Sequence, residues 1–154
     1  NRISVGLSDN MRDLVWALHP EHATLDQLVS RLREFSGDLS EEIDIRFRRD
    51  FPASVPQQKI PKEVLRNTYL VFKEALHNAV KYSGAEEIVI AVTINRAGIS
   101  IEISDNGKGF DAQAEEGKGN GLANMKHRVH SVNGKISIVS SPGKGARIAF
   151  SVPV

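Results

Sequence analysis

Apolar residues recur at helical spacing over two stretches in the first part of the chain. The first stretch, residues 11–18, predicts a helix that ends near His19, because Pro20 cannot continue a helix. The second stretch, residues 25–35, predicts another helix.

The second helix has sequence signals at both ends. Thr24 is followed three residues later by Gln27, which has the form of a capping box, and Gly37 is expected to close the helix. The chain after Gly37 should therefore leave the helical conformation.

Alternation of apolar and polar residues, the period of a half-buried strand, predicts five strands. They lie at residues 43–48, 88–94, 99–104, 136–140 and 146–152. A proline-containing loop, residues 52–61, follows the first strand, and short turns join the other four as two hairpins.

Two more helices are predicted between these strands. Residues 62–82 make a long helix with a polar side and a buried side, and the buried side holds Val64, Thr68, Val71, Phe72, Ala75 and Ala79. A glycine-rich stretch, residues 107–121, precedes a last helix that begins at about Leu122.

Strands grouped with helices, without strict alternation, predict an α+β fold. We expect a two-layer α/β sandwich with a mixed, mostly antiparallel sheet and helices on one face, preceded by a helical remnant. We assign residues 1–38 to the remnant and residues 39–154 to the sandwich.

Composition excludes several classes of function. The 154 residues carry a formal net charge of +1, so no strong field favours nucleic acid as a partner. There are 0 cysteines, which excludes disulfides and thiolate metal sites. No apolar run approaches the ~20 residues of a membrane span.

Asp105 is the residue that carries most chemical information. In its strand Ile99, Ile101 and Ile103 have the inward parity, and Asp105 continues it. An inward carboxylate needs a donor, and a ligand amino group would serve. The alternative, which stays open from the residues alone, is that Asp105 only caps its own turn before Gly107.

Glu74, Asn78 and Lys81 form a polar stripe on the long predicted helix, at positions i, i+4 and i+7. An amide oxygen suits Mg²⁺, a lysine pairs with phosphate, and a glutamate orients or deprotonates a nucleophile. The alternative is a solvated face. Asn is, however, a poor residue for the middle of a helix.

The segment 117–122 leads into the last helix, so its backbone N–H groups would face a bound anion. It is a candidate phosphate cradle. Mobile linkers have similar composition, so only its spacing from the other two features makes it informative.

Together these segments resemble the ATP-binding domain of sensor histidine kinases, in the superfamily that includes DNA gyrase, chaperone and mismatch-repair ATPases. Residues 72–83 resemble the N box of that family, residues 105–110 its first glycine box, and residues 119–125 its second. The first motif, with residues 11–20, is similar to the subgroup of kinases paired with helix-turn-helix response regulators.

The resemblance implies a role for each site residue. Asp105 would accept from the adenine amino group, Asn78 would bind Mg²⁺, and Glu74 would be the catalytic base or orienting group. Lys81 would be a catalytic, phosphate-binding residue. The other implied nucleotide-binding residues are Tyr82, Gly107, Gly109, Phe110, Gly119, Asn120, Gly121 and Leu122.

The family usually has a threonine after the last glycine, where Ala146 follows Gly145 in this chain. A hydroxyl near the adenine-binding acid is therefore missing. One lost hydrogen bond is typically ~0.5–1.5 kcal/mol, so we expect an effect on affinity and not on the mode of binding.

The resemblance further implies ATP and Mg²⁺ as cofactors and transfer of the γ-phosphate to a histidine on a helix upstream of Asn1. A response regulator would receive the phosphoryl group, and the full-length protein would be a homodimer. The domain is expected in the cytoplasm, with any membrane anchor in upstream segments. The alternatives are an anti-sigma-type serine kinase and a non-catalytic nucleotide-binding module.

Overall fold

The structure is a computed structural model that describes residues 23–82, 84–109 and 121–154, without the side chain of Tyr82. The helix predicted at residues 11–18 lies outside these ranges. The elements within them are α1 (Leu25–Glu42), β1 (Arg46–Asp50), α2 (Lys62–Tyr82), β2 (Glu87–Asn95), β3 (Gly98–Asp105), α3 (Gly121–Ser131), β4 (Lys135–Ser140) and β5 (Ala146–Val152).

The five strands form one mixed sheet with the order β1-β2-β3-β5-β4. Strand β1 pairs with β2 in parallel, and the other three pairings are antiparallel. Helix α2 packs on β3 and β5, α3 packs on β4 and β5, and α1 packs on α2. The predicted two-layer α+β sandwich, mostly antiparallel with helices on one face, is confirmed.

Alternate side chains of the strands form the part of the core that the sheet provides. From Glu87 to Val92 in β2 and from Ile99 to Ser104 in β3 every second residue is buried, because successive side chains of a strand point to opposite faces. The six buried isoleucine and valine side chains of these two strands on the helix side are Ile88, Ile90, Val92, Ile99, Ile101 and Ile103. The opposite face of the sheet carries the polar positions.

Helix α2 lies at the centre of the helical layer. All six residues predicted for its buried side are at most 6% exposed. Leu65, Tyr69 and Leu76 are also buried, because α2 contacts α1 and α3 as well as the sheet. Leu25, Leu28 and Leu32 of α1 belong to the same hydrophobic core.

The prediction that Gly37 closes the second helix is wrong, because α1 continues to Glu42. Gly37 lies beneath the Arg49 side chain of β1, and a Cβ at Gly37 would be 3.2 Å from Arg49 Nη1. The same nitrogen donates to the carbonyl oxygen of Arg33 at 3.1 Å. The glycine thus leaves space for a guanidinium that joins α1 to β1.

Thr24 is the N-cap residue of α1, as predicted, but its side chain makes no capping hydrogen bond. The loop before α2 binds the backbone of the helix start in its place. Leu25 N donates to Gln58 O at 2.8 Å, and Ile60 N donates to Ala23 O at 2.9 Å. Thr24 therefore occupies the predicted N-cap position, but its predicted side-chain capping hydrogen bond is absent.

The predicted strand at residues 43–48 begins later than expected, at Arg46, because its pairing with β2 begins at Arg46 and Glu87. The odd-numbered positions of this segment are predicted to face inward, and Ile45 and Phe47 do pack against the core. None of the helices in the described ranges combines the length and apolarity that crossing a membrane requires.

Candidate functional site

The polar stripe of α2 lies beside the start of α3. Glu74 and Asn78 are half-buried, and Lys81 is exposed near the end of the helix. A Cβ built on Gly121 would be 3.2 Å from Glu74 Oε1 and 3.7 Å from Asn78 Nδ2. Gly121 of the second glycine box therefore lies directly against the carboxylate and the amide.

Asp105 lies on the helix-facing side of the sheet, opposite Ile88 in β2 and opposite Ala146 in β5. Its Oδ1 accepts a hydrogen bond from the Gly107 backbone N–H at 2.8 Å. Both interpretations of the sequence thus hold in part, because the carboxyl group is inward and also caps its own turn.

Burial raises the pKa of Asp105 above its ordinary value, and the backbone N–H groups of Gly107 and Ala146 oppose this effect without cancelling it. The carboxylate is therefore less well stabilised than it would be in water. A ligand that donates a further hydrogen bond would stabilise the charged form.

The first glycine box packs against the turn between β4 and β5. Gly109 has φ +67°, and a Cβ there would overlap the carbonyl oxygen of Ser141. Gly145 has φ +74°, and a Cβ there would overlap the carbonyl oxygen of Asp105. Both positions require glycine, because positive φ and close backbone approach exclude a side chain.

Asn106 is a residue whose role the sequence analysis missed. Its Oδ1 accepts hydrogen bonds from the backbone N–H groups of Glu86 at 2.9 Å and Glu87 at 3.0 Å. It fixes the start of β2 against the end of β3, where Asp105 lies. The Asp-Asn-Gly sequence signalled a turn, although it did not indicate the partner strand.

The remaining predicted site residues differ in what the structure describes. The Leu122 side chain is 9% exposed and belongs to the hydrophobic core, which leaves only its backbone for contact with a ligand. Phe110, Gly119, Asn120 and the side chain of Tyr82 lie outside the described residues.

His77 lies beside the polar stripe and joins it to α1. Its ring meets the ring of Phe35 edge-on, with centroids 5.5 Å apart. Desolvation lowers the pKa of His77, and Lys73 lowers it further, while Glu74 has the opposite effect. His77 is thus favoured in its neutral form.

The donor set fits a magnesium ion bound mainly through phosphates. Among the described residues no group of three His, Cys, Asp or Glu side chains could hold a metal. Mg²⁺ commonly uses one or two protein oxygens and completes its shell with water and phosphate oxygens. Asn78 is the residue that would hold such an ion, and Gly121 lies close to its amide group and to the Glu74 carboxylate.

A protein-family model described as "Histidine kinase-, DNA gyrase B-, and HSP90-like ATPase" matches residues 64–154. The oxygen sensor histidine kinase NreB of Staphylococcus carnosus is 30% identical over 155 residues, covering 96% of this chain and 42% of that protein. The sensor histidine kinase LiaS of Bacillus subtilis is 28% identical, covering 95% of this chain and 39% of that protein. This chain thus spans about two fifths of the length of these curated relatives.

Two solved structures share the fold. The histidine kinase domain of the blue-light activated histidine kinase from Erythrobacter litoralis superposes with a TM-score of 0.68 at 15% identity, covering 85% of this chain and 64% of that chain. The ATP binding domain of PrrB from Mycobacterium tuberculosis gives 0.59 at 24% identity, covering 84% of this chain and 93% of that chain.

Proposed function

This chain belongs to the histidine kinase-, DNA gyrase B- and HSP90-like ATPase family and is an ATP-binding domain of the sensor histidine kinase type, and from that premise we propose that it transfers the ATP γ-phosphate to a histidine on a separate helix. The contact of Gly121 with Glu74 and Asn78 supports this proposal most strongly. Gly121 belongs to the candidate phosphate cradle and lies beside two residues of the polar stripe.

In this proposal the nucleotide lies between the helices and the sheet end. Asp105 accepts a hydrogen bond from the adenine amino group, and the backbone at the start of α3 faces the phosphates. Asn78 provides an oxygen ligand for Mg²⁺, which would neutralise charge on the phosphates. Lys81 pairs with phosphate oxygens.

The reaction is an in-line displacement. A histidine nitrogen forms a bond to the γ-phosphorus as the bond to the bridging oxygen of ADP breaks. Glu74, one turn before Asn78 on α2, would either orient the histidine ring or accept its proton. Positioning and electrostatic stabilisation supply most of the rate enhancement.

The finer parts of the proposal concern the whole protein. They include an acceptor helix from the same or a partner protomer, a homodimer, a response regulator that takes the phosphoryl group, and a cytoplasmic location. The lid over ATP that the resemblance implies falls on residues 111–118, which lie outside the described residues. The division into residues 1–38, as the C-terminal part of a dimerisation and phosphotransfer helical region, and residues 39–154, as the ATP-binding catalytic domain, stays a prediction.

Two other functions on this fold stay as alternatives. An anti-sigma-type kinase would label a serine of its partner, and its product would be stable in acid, whereas phosphohistidine is labile. A non-catalytic nucleotide-binding module would not need a base. Retention of Glu74 beside Asn78 favours a kinase, because binding alone gains nothing from a base.

A transfer assay with a supplied acceptor tests the proposal. The wild-type chain is incubated with labelled Mg-ATP and a two-helix acceptor protein that carries a histidine followed by an acidic residue. We expect Glu74→Gln to slow transfer more than it weakens ATP binding, and Asn78→Ala to remove the Mg²⁺ dependence of binding. Glu63→Gln, an exposed change in the first turn of the same helix, is the control.

The expected product is an acid-labile, base-stable phosphate on the acceptor. Normal transfer rates in both site variants would contradict the proposed roles and leave the stripe as solvated surface. Acid-stable label on serine would favour the anti-sigma-type alternative. ATP binding without transfer to any acceptor would favour the non-catalytic module.

A further inference from the structure

One row of side chains crosses the sheet at the end where Asp105 lies. Asp105 of β3 is directly opposite Ala146 of β5, and Ala146 is directly opposite Ser140 of β4. Directly opposed residues of antiparallel strands have Cβ atoms about 4.5–5.5 Å apart on one face of the sheet. The side chain of Ala146, a single methyl group, therefore lies between Asp105 and Ser140 in this row.

Two glycines border this row, Gly109 in the loop after β3 and Gly145 in the turn between β4 and β5. Gly109 and Gly145 approach through their backbone alone, and each position excludes a Cβ. The hydroxyl of Ser140 donates to the carbonyl oxygen of Gly145 at 2.8 Å and is thus directed toward the loop. Among the described residues of this row, Ala146 alone lines the β5 side of the Asp105 carboxyl group.

We propose that Ala146 determines nucleotide specificity by leaving space beside Asp105 for a small alkyl group on the adenine amino nitrogen. This inference rests on the proposed function, in which Asp105 accepts a hydrogen bond from that amino group. A mono-alkylated amino group keeps one N–H for the carboxylate, so the hydrogen bond survives. The space beside Asp105 then determines whether the alkylated nucleotide binds. A β-branched residue at position 146 would add two heavy atoms to this space.

Calorimetric titration with Mg-ATP and with Mg-N6-methyl-ATP tests the inference. We expect the wild-type chain to bind both nucleotides with similar affinity. Ala146→Thr and Ala146→Val should keep ATP binding and weaken N6-methyl-ATP by about tenfold or more, the effect of one misplaced methyl group in a closed pocket. Valine has the shape of threonine without the hydroxyl, so agreement of the two variants in the ratio of the two affinities identifies the effect as steric.

Ala149→Thr is the matched control, because Ala149 lies on the same strand and faces the opposite side of the sheet. It should leave the ratio of the two affinities unchanged. If the wild-type chain binds ATP and rejects N6-methyl-ATP, this inference is overturned and the proposed function is not. Equal binding of both nucleotides by the valine variant would have the same consequence. Failure of the folded wild-type chain to bind either nucleotide would overturn the proposed function, and this inference with it.

Discussion

The carboxyl group of Asp105 is held in an environment that disfavours its charge. Burial raises its pKa, although the Gly107 N–H donates to it at 2.8 Å. When the folded-state pKa of an acid is raised, the folded state binds more protons than the unfolded state between the two pKa values, and stability falls as pH rises through that interval. Ionised Asp105 thus lowers the stability of the free protein, as expected of a group that awaits a ligand.

Thr68 is a second buried polar residue with an unfavourable environment. Its side chain is 1% exposed, and its hydroxyl has no hydrogen-bond partner among the residues that the structure describes. We expect Thr68→Val to raise the free energy of unfolding by about 1 kcal/mol, because an unsatisfied buried hydroxyl is removed at nearly constant shape. Thermal and urea denaturation measure the change.

Thr68→Ser is the control for this prediction, since it keeps the hydroxyl and removes a buried methyl group. It should lower the free energy of unfolding by roughly 1 kcal/mol. Destabilisation by Thr68→Val would indicate that the hydroxyl makes a hydrogen bond in solution.

Helix α1 contains a glycine that its backbone conformation does not require. Gly37 is helical, and a Cβ added there would first meet the flexible end of the Arg49 side chain, at 3.2 Å. Since alanine favours a helix over glycine by about 0.8–1.0 kcal/mol, Gly37→Ala should raise the free energy of unfolding by about 0.5–1 kcal/mol. Circular dichroism of thermal unfolding measures this change.

Gly98→Ala provides the contrast within the same fold. Gly98 has φ +143°, and a Cβ there would overlap the carbonyl oxygen of Val152. This substitution should destabilise the protein by about 1–3 kcal/mol, because a strained conformation and a backbone clash are both introduced. Equal effects of the two substitutions would show that the packing of Arg49 over Gly37 is tighter than the structure indicates.

Local periodicity predicts the elements of this fold well and their ends less well. The inward parity of β2 and β3 and the buried side of α2 follow directly from the sequence, because burial on one face imposes a period on each element. The end of α1 did not follow, since the contact between Gly37 and Arg49 joins residues from different elements. Non-local contacts of this kind leave no local pattern in the sequence.

The candidate site was predictable to the same extent. Asp105 and Asn78 could be found because each departs from the local rule of its element, an acid at an inward strand position and an amide in mid-helix. The burial of Leu122 and the bonds of Asn106 to β2 depend on packing between elements. They became evident only from the structure.

The molecule as a whole joins α1, α2, α3 and the sheet through one hydrophobic core. Three of its five histidines lie in the described helices. His77 lies beside the polar stripe of α2, and His127 and His130 are exposed on α3. None of these three lies at the end of a flexible segment that would bring it in line with a bound γ-phosphate. His19 and His22 lie outside the described residues.

We therefore expect this chain to bind ATP without phosphorylating itself. Incubation with labelled ATP, followed by peptide mapping of acid-labile phosphate, should give no labelled histidine in the chain alone. Addition of an acceptor helix should produce label on that helix, because transfer requires a nucleophile within a few ångströms of the phosphorus. Label on His19 in the absence of an acceptor would contradict this expectation.

Nucleotide binding through Asp105 is decided by calorimetric titration of Mg-ATP into the wild-type chain and Asp105→Asn. Asparagine keeps an oxygen for the Gly107 N–H and avoids the cost of a buried charge, so the variant should be folded and at least as stable as the wild type at neutral pH. Its circular dichroism spectrum and melting curve verify this. We predict ATP binding to the wild-type chain and loss of measurable binding to the variant, because the charged acceptor for the adenine amino group is gone. Wild-type affinity for ATP in a folded Asp105→Asn variant would contradict the assignment of Asp105 to the adenine.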